Sequence, residues 1–163
     1  MRTLRVRLLL GACLIALWPA ASAAASVVPG EGIAGVRLRM TESQVRARLG
    51  PPVRVTTTKG ALGFVVTRLH YRSLDVDLQR LDRRPVVIRV LTTRRRERTP
   101  SGLGVGSTLA AVLRLPGVRC STQPPLRYCG VGRLNAPLGR FTLFWIGARG
   151  RVTTVSVALT VDS

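Results

Sequence analysis

The sequence predicts an α+β fold made of two tandem modules, each a short helix followed by antiparallel β-strands. Three observations lead to this prediction. Two similar segments, residues 35–55 and 102–120, each contain signals for the start and the end of a short helix. Sequence with alternating apolar and polar residues, typical of strands, follows each segment. A charged stretch with Pro and Gly at 92–102 separates the halves and indicates a boundary near Pro100.

The N-terminus predicts secretion. Residues 1–23 place three arginines before an apolar run that ends in the small residues Ala21-Ser22-Ala23. This pattern is typical of a secretory signal peptide, here cleaved near Ala23, which leaves modules at 24–99 and 100–163. An uncleaved anchor and lipidation of Cys13 are the alternatives. We therefore expect a secreted or periplasmic, cell-envelope protein with no transmembrane segment in the mature chain.

The first helix is predicted by residues at its two ends. Thr41 and Gln44 have the spacing of a capping box, and Met40 and Val45 that of a hydrophobic staple. The Gly-Pro-Pro at 50–52 stops the helix. The helix spans about two turns, so it needs a partner surface to be stable.

The second helix repeats this pattern. Ser107 or Thr108 begins it, apolar residues continue through Leu115, and Pro116-Gly117 ends it. It is expected to have the same length of about two turns.

Strands follow the first helix at 64–71, 74–78 and 85–93. Leu74, Val76 and Leu78 alternate with aspartates, which places the two sets on opposite sides of one strand. The two-residue link Arg72-Ser73 predicts an antiparallel hairpin.

Strands are also expected in the second half, at 140–146 and 151–161, on either side of a turn at 147–150. The last strand alternates valines and a leucine with threonines and a serine. The sequence leaves open whether the two modules form one continuous sheet or two separate ones.

The segment "RMTESQVRARLGPP" resembles the BamE/SmpA outer-membrane lipoprotein domain, whose motif reads Gly-Met-Thr, then Gln-Val, then Leu-Gly-x-Pro. Arg39 stands where that family prefers Gly. A tandem pair of such units with a disulfide is also similar to β-lactamase inhibitory proteins. The resemblance implies a non-catalytic protein that binds other proteins through loops or a sheet face. The matching residues are Met40, Thr41, Gln44, Val45, Leu49, Gly50 and Pro52.

Cys120 and Cys129 are the two cysteines after the predicted signal peptide. In an oxidising compartment, such an isolated pair predicts a disulfide. A metal site is the alternative, but His70 is the only histidine and lies far away in sequence. No metal and no cofactor are therefore expected.

The remaining polar residues do not form a recognisable catalytic set. His70 has no nucleophile motif near it and is interpreted as a surface histidine. Asp75 and Asp77 share one strand face and could seed a metal site or an acid/base pair. Solvated ion pairs with Arg72 and Arg80 are the favoured interpretation. We therefore predict no catalytic residues and a protein that is not an enzyme.

The formal charge of +19 limits the choice of partners. A basic protein outside the cytoplasm meets anionic envelope polymers and other envelope or secreted proteins, and we expect no nucleic acid. Only one of the 26 basic residues is lysine, which is also typical of GC-rich coding sequence. The charge alone therefore assigns no function, and neither the partner's identity nor the oligomeric state is specified.

The densest basic patch, "RRRER" at 94–98, is a candidate site for an anion or an acidic partner through Arg94, Arg95, Arg96 and Arg98. A solvated linker is the alternative. The sequence thus favours a secreted or cell-envelope, non-enzymatic protein-interaction module. Inhibition of a secreted enzyme through an exposed loop, at 121–127 or 132–139, is the second hypothesis.

Overall fold

Most of the chain folds into strands. The computed structural model describes residues 26–59, 63–122 and 127–161. Strands make up 48% of the structure and helices 9%. The prediction of an α+β fold built from two helix-plus-strand modules is therefore wrong, and the protein is mostly β. The physical reason is that each helix is short and buries only one of its own residues, Val45 or Val112.

Helix α1 spans Glu42–Leu49 and has the predicted ends. The Thr41 hydroxyl accepts from the Gln44 backbone N–H, and the Gln44 side chain accepts from the Thr41 N–H at 2.8 Å. Gly50, with φ +79°, ends the helix and donates its N–H to the Arg46 carbonyl. The capping box and the glycine stop are confirmed.

Helix α2 is shorter than expected. It spans only Leu109–Val112, one turn, with Thr108 as its N-cap. Leu113 is 53% exposed, so a longer helix would have gained little burial there. Pro116 also disfavours helical conformation at the residue before it. The predicted length of two turns is wrong.

A small sheet precedes α1. Its three strands, β1 (Val27–Val28), β2 (Gly32–Ile33) and β3 (Val36–Arg37), pair antiparallel in that order. Val27, Ile33 and Val36 of this sheet join one core with Val45 of α1 and with strands from both halves of the chain.

A continuous eight-stranded antiparallel sheet forms the body of the molecule, with strand order β4-β5-β6-β7-β11-β10-β9-β8. Pairing of β7 with β11 joins its two halves, which answers the question that the sequence left open. The strands are β4 (Arg54–Lys59), β5 (Val65–His70), β6 (Leu74–Leu81), β7 (Arg84–Thr92), β8 (Arg119–Ser121), β9 (Tyr128–Gly132), β10 (Arg140–Ile146) and β11 (Val152–Leu159).

The five predicted strands correspond to β5, β6, β7, β10 and β11. The hairpin at Arg72-Ser73 is confirmed, since the Tyr71 N–H donates to the Leu74 carbonyl at 2.8 Å. Strands β4, β8 and β9 were not predicted, and neither were the short strands of the small sheet. No helix in the described part of the chain is long and apolar enough to cross a membrane.

Candidate binding face of the eight-stranded sheet

The two faces of the large sheet have different surroundings. The small sheet and α1 contact β7 and β11, and the buried side chains of these elements share one core with Leu69, Val76 and Phe144. Alternation along the strands places the neighbouring residues on the opposite face. No helix or strand within the described residues packs against that second face, and only Leu134, from the loop after β9, lies against its edge at Gly130. We call this second face the open face.

An ion-pair cluster lies at the centre of the open face. Arg68 of β5, Asp77 of β6 and Arg89 of β7 are direct cross-strand neighbours. Arg68 Nε and Nη2 lie 2.6 Å and 3.0 Å from the two Asp77 carboxylate oxygens. Arg89 Nε and Nη2 lie 2.7 Å and 2.5 Å from Asp77 Oδ2. One carboxylate thus holds two guanidinium groups, each through two nitrogens.

Asp77 is more deeply buried than the two arginines that it binds. The Asp77 side chain is completely buried, whereas the side chains of Arg68 and Arg89 remain 35% and 38% exposed. Burial alone opposes ionisation of Asp77, but the hydrogen bonds and charges of the two arginines outweigh it and hold the pKa of Asp77 below its ordinary value. The hydrogen bond from Arg68 to Asp77 likewise raises the pKa of Arg68 against the effect of burial.

The interpretation of Asp77 as a solvated charge is wrong. It is paired with arginine, but with residues on the adjacent strands, Arg68 and Arg89, rather than with Arg72 and Arg80. These partners could be found only from the strand register, which the sequence does not state. A one-residue bulge in β7 opposite the step from Asp77 to Leu78 helps to set that register.

An apolar groove adjoins the cluster. A cavity of about 240 Å³ spans β5, β6, β7, β10 and β11. Ser156 and Ala158, which are 1% and 4% exposed, lie at its base. The groove is lined by Val66, Asp77, Gln79, Ile88, Arg89, Phe141, Leu143, Trp145, Ser156, Ala158, Leu159 and Val161.

The aromatic side of the groove is held in place by two contacts. Trp145 Nε1 donates to the Ser156 hydroxyl at 3.4 Å. The ring centroids of Trp145 and Tyr128 lie 5.4 Å apart with their planes tilted by 53°. Such a tilted pair is a favourable arrangement for aromatic rings. The open face therefore presents an ordered aromatic surface beside a polar cluster.

His70, interpreted from the sequence as a surface histidine, is largely buried, with its side chain 20% exposed, and has two hydrogen-bond partners. Its Nδ1 lies 3.0 Å from Asp75 Oδ1, and its Nε2 lies 2.9 Å from the Thr56 hydroxyl. Asp75 faces His70 across the β5–β6 pair, while Thr56 belongs to the neighbouring strand β4. These two contacts connect a hydroxyl, an imidazole and a carboxylate in a hydrogen-bonded series that local sequence patterns did not predict.

The basic patch at 94–98 is divided between structural and exposed residues. Arg94 donates its side-chain Nε to the Ser73 hydroxyl. Arg98 donates its backbone N–H to Ser26 Oγ at 3.0 Å and its side chain to Ser107 Oγ at 3.1 Å. Of the four arginines, Arg95 and Arg96 are exposed, whereas Arg94 and Arg98 are partly buried. Whether this patch binds an anion stays a prediction.

Cys120 and Cys129 form the expected disulfide. They are cross-strand partners, so the bond ties the short edge strand β8 to β9. A disulfide of this kind persists in oxidising compartments, which supports a secreted or envelope location. The signal peptide itself and Cys13 lie outside the described residues. In the parts of the chain that are described, no three His, Cys, Asp or Glu side chains are grouped so that they could hold a metal ion.

Comparisons with known proteins identify no family for this chain. No family model matches it, and no curated protein does. The resemblance to the BamE/SmpA domain and to β-lactamase inhibitory proteins is therefore a wrong prediction: the motif around Met40 is a local helix-capping pattern that is not accompanied by a match to the family.

Three solved structures show a distant similarity in fold. An extracellular protein containing an SCP domain from Bacillus anthracis has 11% identity and a TM-score of 0.47, covering 77% of this chain and 44% of that chain. A DUF4309 family protein from Bacillus subtilis has 17% identity and a TM-score of 0.49, covering 80% and 88%. A cysteine-rich secretory protein from Staphylococcus aureus has 12% identity and a TM-score of 0.45, covering 81% and 47%. This chain thus spans less than half the length of the first and third proteins.

Proposed function

We propose that this protein is a secreted or cell-envelope, non-enzymatic module that binds another protein through the open face of its eight-stranded sheet. The observation that supports this most directly is the groove beside Trp145 and Leu143, which is preformed and which no helix or strand of the described residues covers. Its aromatic residues and arginines are the residue types enriched at binding hot spots.

The size of the open face fits a protein partner. Eight strands at about 4.8 Å spacing, with about six residues each, give a surface of roughly 34 Å by 20 Å. This area of about 700 Å² is close to the roughly 800 Å² that one partner contributes to a standard protein interface. The face is thus comparable in size to one side of a specific protein interface.

Anionic envelope polymers are a less favoured partner. The patch at 94–98 uses Arg94 and Arg98 in contacts within the protein, which leaves Arg95 and Arg96 as its exposed members. Two exposed arginines attract polyanions weakly, and salt screens such an attraction. Salt-resistant binding would therefore point to the open face rather than to the patch.

Inhibition of a secreted enzyme is the second candidate function. The loop 132–139 is held in place, since the Thr160 hydroxyl donates to the Leu134 carbonyl at 3.0 Å and the Leu138 N–H donates to the Thr160 carbonyl. Leu138, near the C-terminal end of this loop, is 48% exposed. An ordered loop with an exposed apolar side chain is what insertion into an enzyme cleft requires. The other loop considered, 121–127, includes residues outside the described part of the chain.

The hydrogen bonds that link Thr56, His70 and Asp75 raise the question of catalysis, whereas we propose that the protein is not an enzyme. Catalysis through His70 would need a cavity for substrate beside the imidazole. None of the five cavities described in this structure is lined by Thr56, His70 or Asp75. The three residues lie on neighbouring strands, where their hydrogen bonds stabilise strand pairing.

Capture of partners from envelope and secreted fractions tests the proposal. We expect a protein bound by the wild type at both low and high salt to be lost with Leu143→Asp, which places a charge in the groove. The control is Leu113→Asp, the same substitution at the C-cap residue of α2, where the leucine is 53% exposed. This variant should retain the partner protein. Loss of the partner with Gly/Ser replacement of 132–139, but not with Leu143→Asp, would favour the inhibitor instead.

A further inference from the structure

The groove beside Arg89 has the size of one side chain. Its volume of about 240 Å³ lies below the roughly 300 Å³ at which small-molecule sites begin. Phe141, Leu143 and Trp145 form much of its apolar lining. A single large apolar side chain from a partner would fill this space.

The cluster next to the groove carries unused positive charge. Asp77 neutralises only one of the two guanidinium groups that it binds. Three arginines (Arg54, Arg68, Arg89) and two aspartates (Asp75, Asp77) lie on this part of the open face by strand register, with His70 bonded to Asp75. The three arginines and two aspartates together carry a net charge of +1, so the face can accept one external anion.

The free donors of the cluster point to the kind of anion. Arg68 and Arg89 each use Nε and Nη2 on Asp77, which leaves Nη1 without a role in the pair. Both side chains are more than one third exposed, so these donors are open to solvent. A carboxylate is a good acceptor for such groups. Because Asp77 fixes both guanidinium groups beforehand, binding would cost little side-chain entropy.

We infer that the open face recognises a protein segment in which a large apolar side chain and a carboxylate point the same way. Arg89 both borders the groove and belongs to the ion-pair cluster, so the two subsites adjoin. In an extended segment, the side chains of residues i and i+2 lie on the same side, about 7 Å apart. This distance lies between one and two strand spacings of the sheet. The expected pattern is thus an aromatic residue, any residue, then Asp or Glu. This inference rests on the proposed protein-binding function.

Capped peptides test this recognition directly. The probes are Ac-Ala-Phe-Ala-Asp-Ala-NH2, the same peptide with Asn for Asp, and the same peptide with Ala for Phe. Trp145 lies in the groove and is the only tryptophan outside the first 25 residues, so its fluorescence in the secreted protein reports binding. We expect the Phe and Asp peptide to bind at least tenfold more tightly than either altered peptide.

Two variants with the same change in charge provide the control. Arg89→Gln should abolish the preference for Asp over Asn, whereas Arg114→Gln, at an exposed arginine outside both the groove and the basic patch, should keep it. Arg89→Lys should restore only part of the preference, since lysine lacks the planar fork. Circular dichroism and thermal melts establish that each variant is folded, and Phe141→Ala tests the apolar subsite separately.

Equal binding of the Asp and Asn peptides, or an equal loss in Arg89→Gln and Arg114→Gln, would overturn the inference. If the peptides fail to bind while Leu143→Asp still abolishes partner capture, the recognition pattern is wrong and the proposed function stands. If Leu143→Asp also leaves capture unchanged, both are wrong.

Discussion

Asp77 is the residue on which the open face depends most. Its carboxylate is fully buried and is the shared partner of two arginines from neighbouring strands. Removing one member of a buried ion pair leaves the other charges uncompensated, which is more costly than the net value of the pair itself.

Because Arg68 and Arg89 keep more than a third of their side chains in solvent, which screens the charges left behind, we expect Asp77→Asn to lower the free energy of unfolding by about 1 to 3 kcal/mol. Denaturant unfolding followed by Trp145 fluorescence measures this loss. Asp82→Asn is the matched control, because Asp82 is exposed, and at its φ of +62° asparagine is well tolerated. A loss as small as that of the control would show that the cluster contributes little to stability.

The same residue predicts a dependence on pH. The pKa of Asp77 is lowered in the folded state, so the ionised carboxylate stabilises the fold above its ordinary pKa of 3.8. This stability should be lost as the pH falls from 3.8 through the lowered folded-state value. The difference in unfolding free energy between wild type and Asp77→Asn should therefore shrink in that range. A difference that stays constant from neutral pH to well below 3.8 is incompatible with this account.

The disulfide between Cys120 and Cys129 was predicted from the sequence alone. Two cysteines close in sequence and an oxidising compartment leave few other pairings. Replacing Cys120 and Cys129 together by alanine should cost about 2 to 3 kcal/mol, the loop-closure entropy of a ring of this size. Chemical denaturation of the wild type and the double variant measures the difference, and coincident unfolding curves would refute the estimate.

Among the elements, α1 was predictable because its ends are encoded locally. The capping box of Thr41 and Gln44 depends only on residues three apart and needs no tertiary information. Thr41→Ala should lower stability by about 1 kcal/mol, since helix N–H groups lose their acceptor. Thr57→Ala, at an exposed threonine of β4, is the control. Thermal melts that show equal effects for the two variants would argue against a stabilising cap.

Strand β4 was missed for a physical reason. It is the edge strand of the sheet, and five of its six residues are exposed, so it lacks the alternation of buried and exposed residues that predicts a strand. Only its pairing with β5 defines it. The ion-pair cluster was missed for a related reason, because Arg68, Asp77 and Arg89 come together only through the register of three strands. Local patterns thus predicted strands and caps, but not the pairing that creates the candidate site.

One continuous sheet contains strands from both halves of the chain, an arrangement that the sequence left open. The β7–β11 pairing lies in the middle of the sheet, and one core includes residues from both halves. Both observations favour cooperative unfolding. Trp145 fluorescence, which reports the second half, and far-ultraviolet circular dichroism should therefore give coincident unfolding curves. Two separate transitions would show that the halves are stable independently.

The central claim is that a partner protein contacts the open face. A photo-crosslinking amino acid at Leu91, which lies on this face between Asp75 and Ser156 in the strand register, tests it most directly. The same group at the exposed Leu113 is the control. We predict a crosslink to a protein partner from position 91 and none from position 113. A partner that crosslinks from 113 but not from 91 would contradict the account.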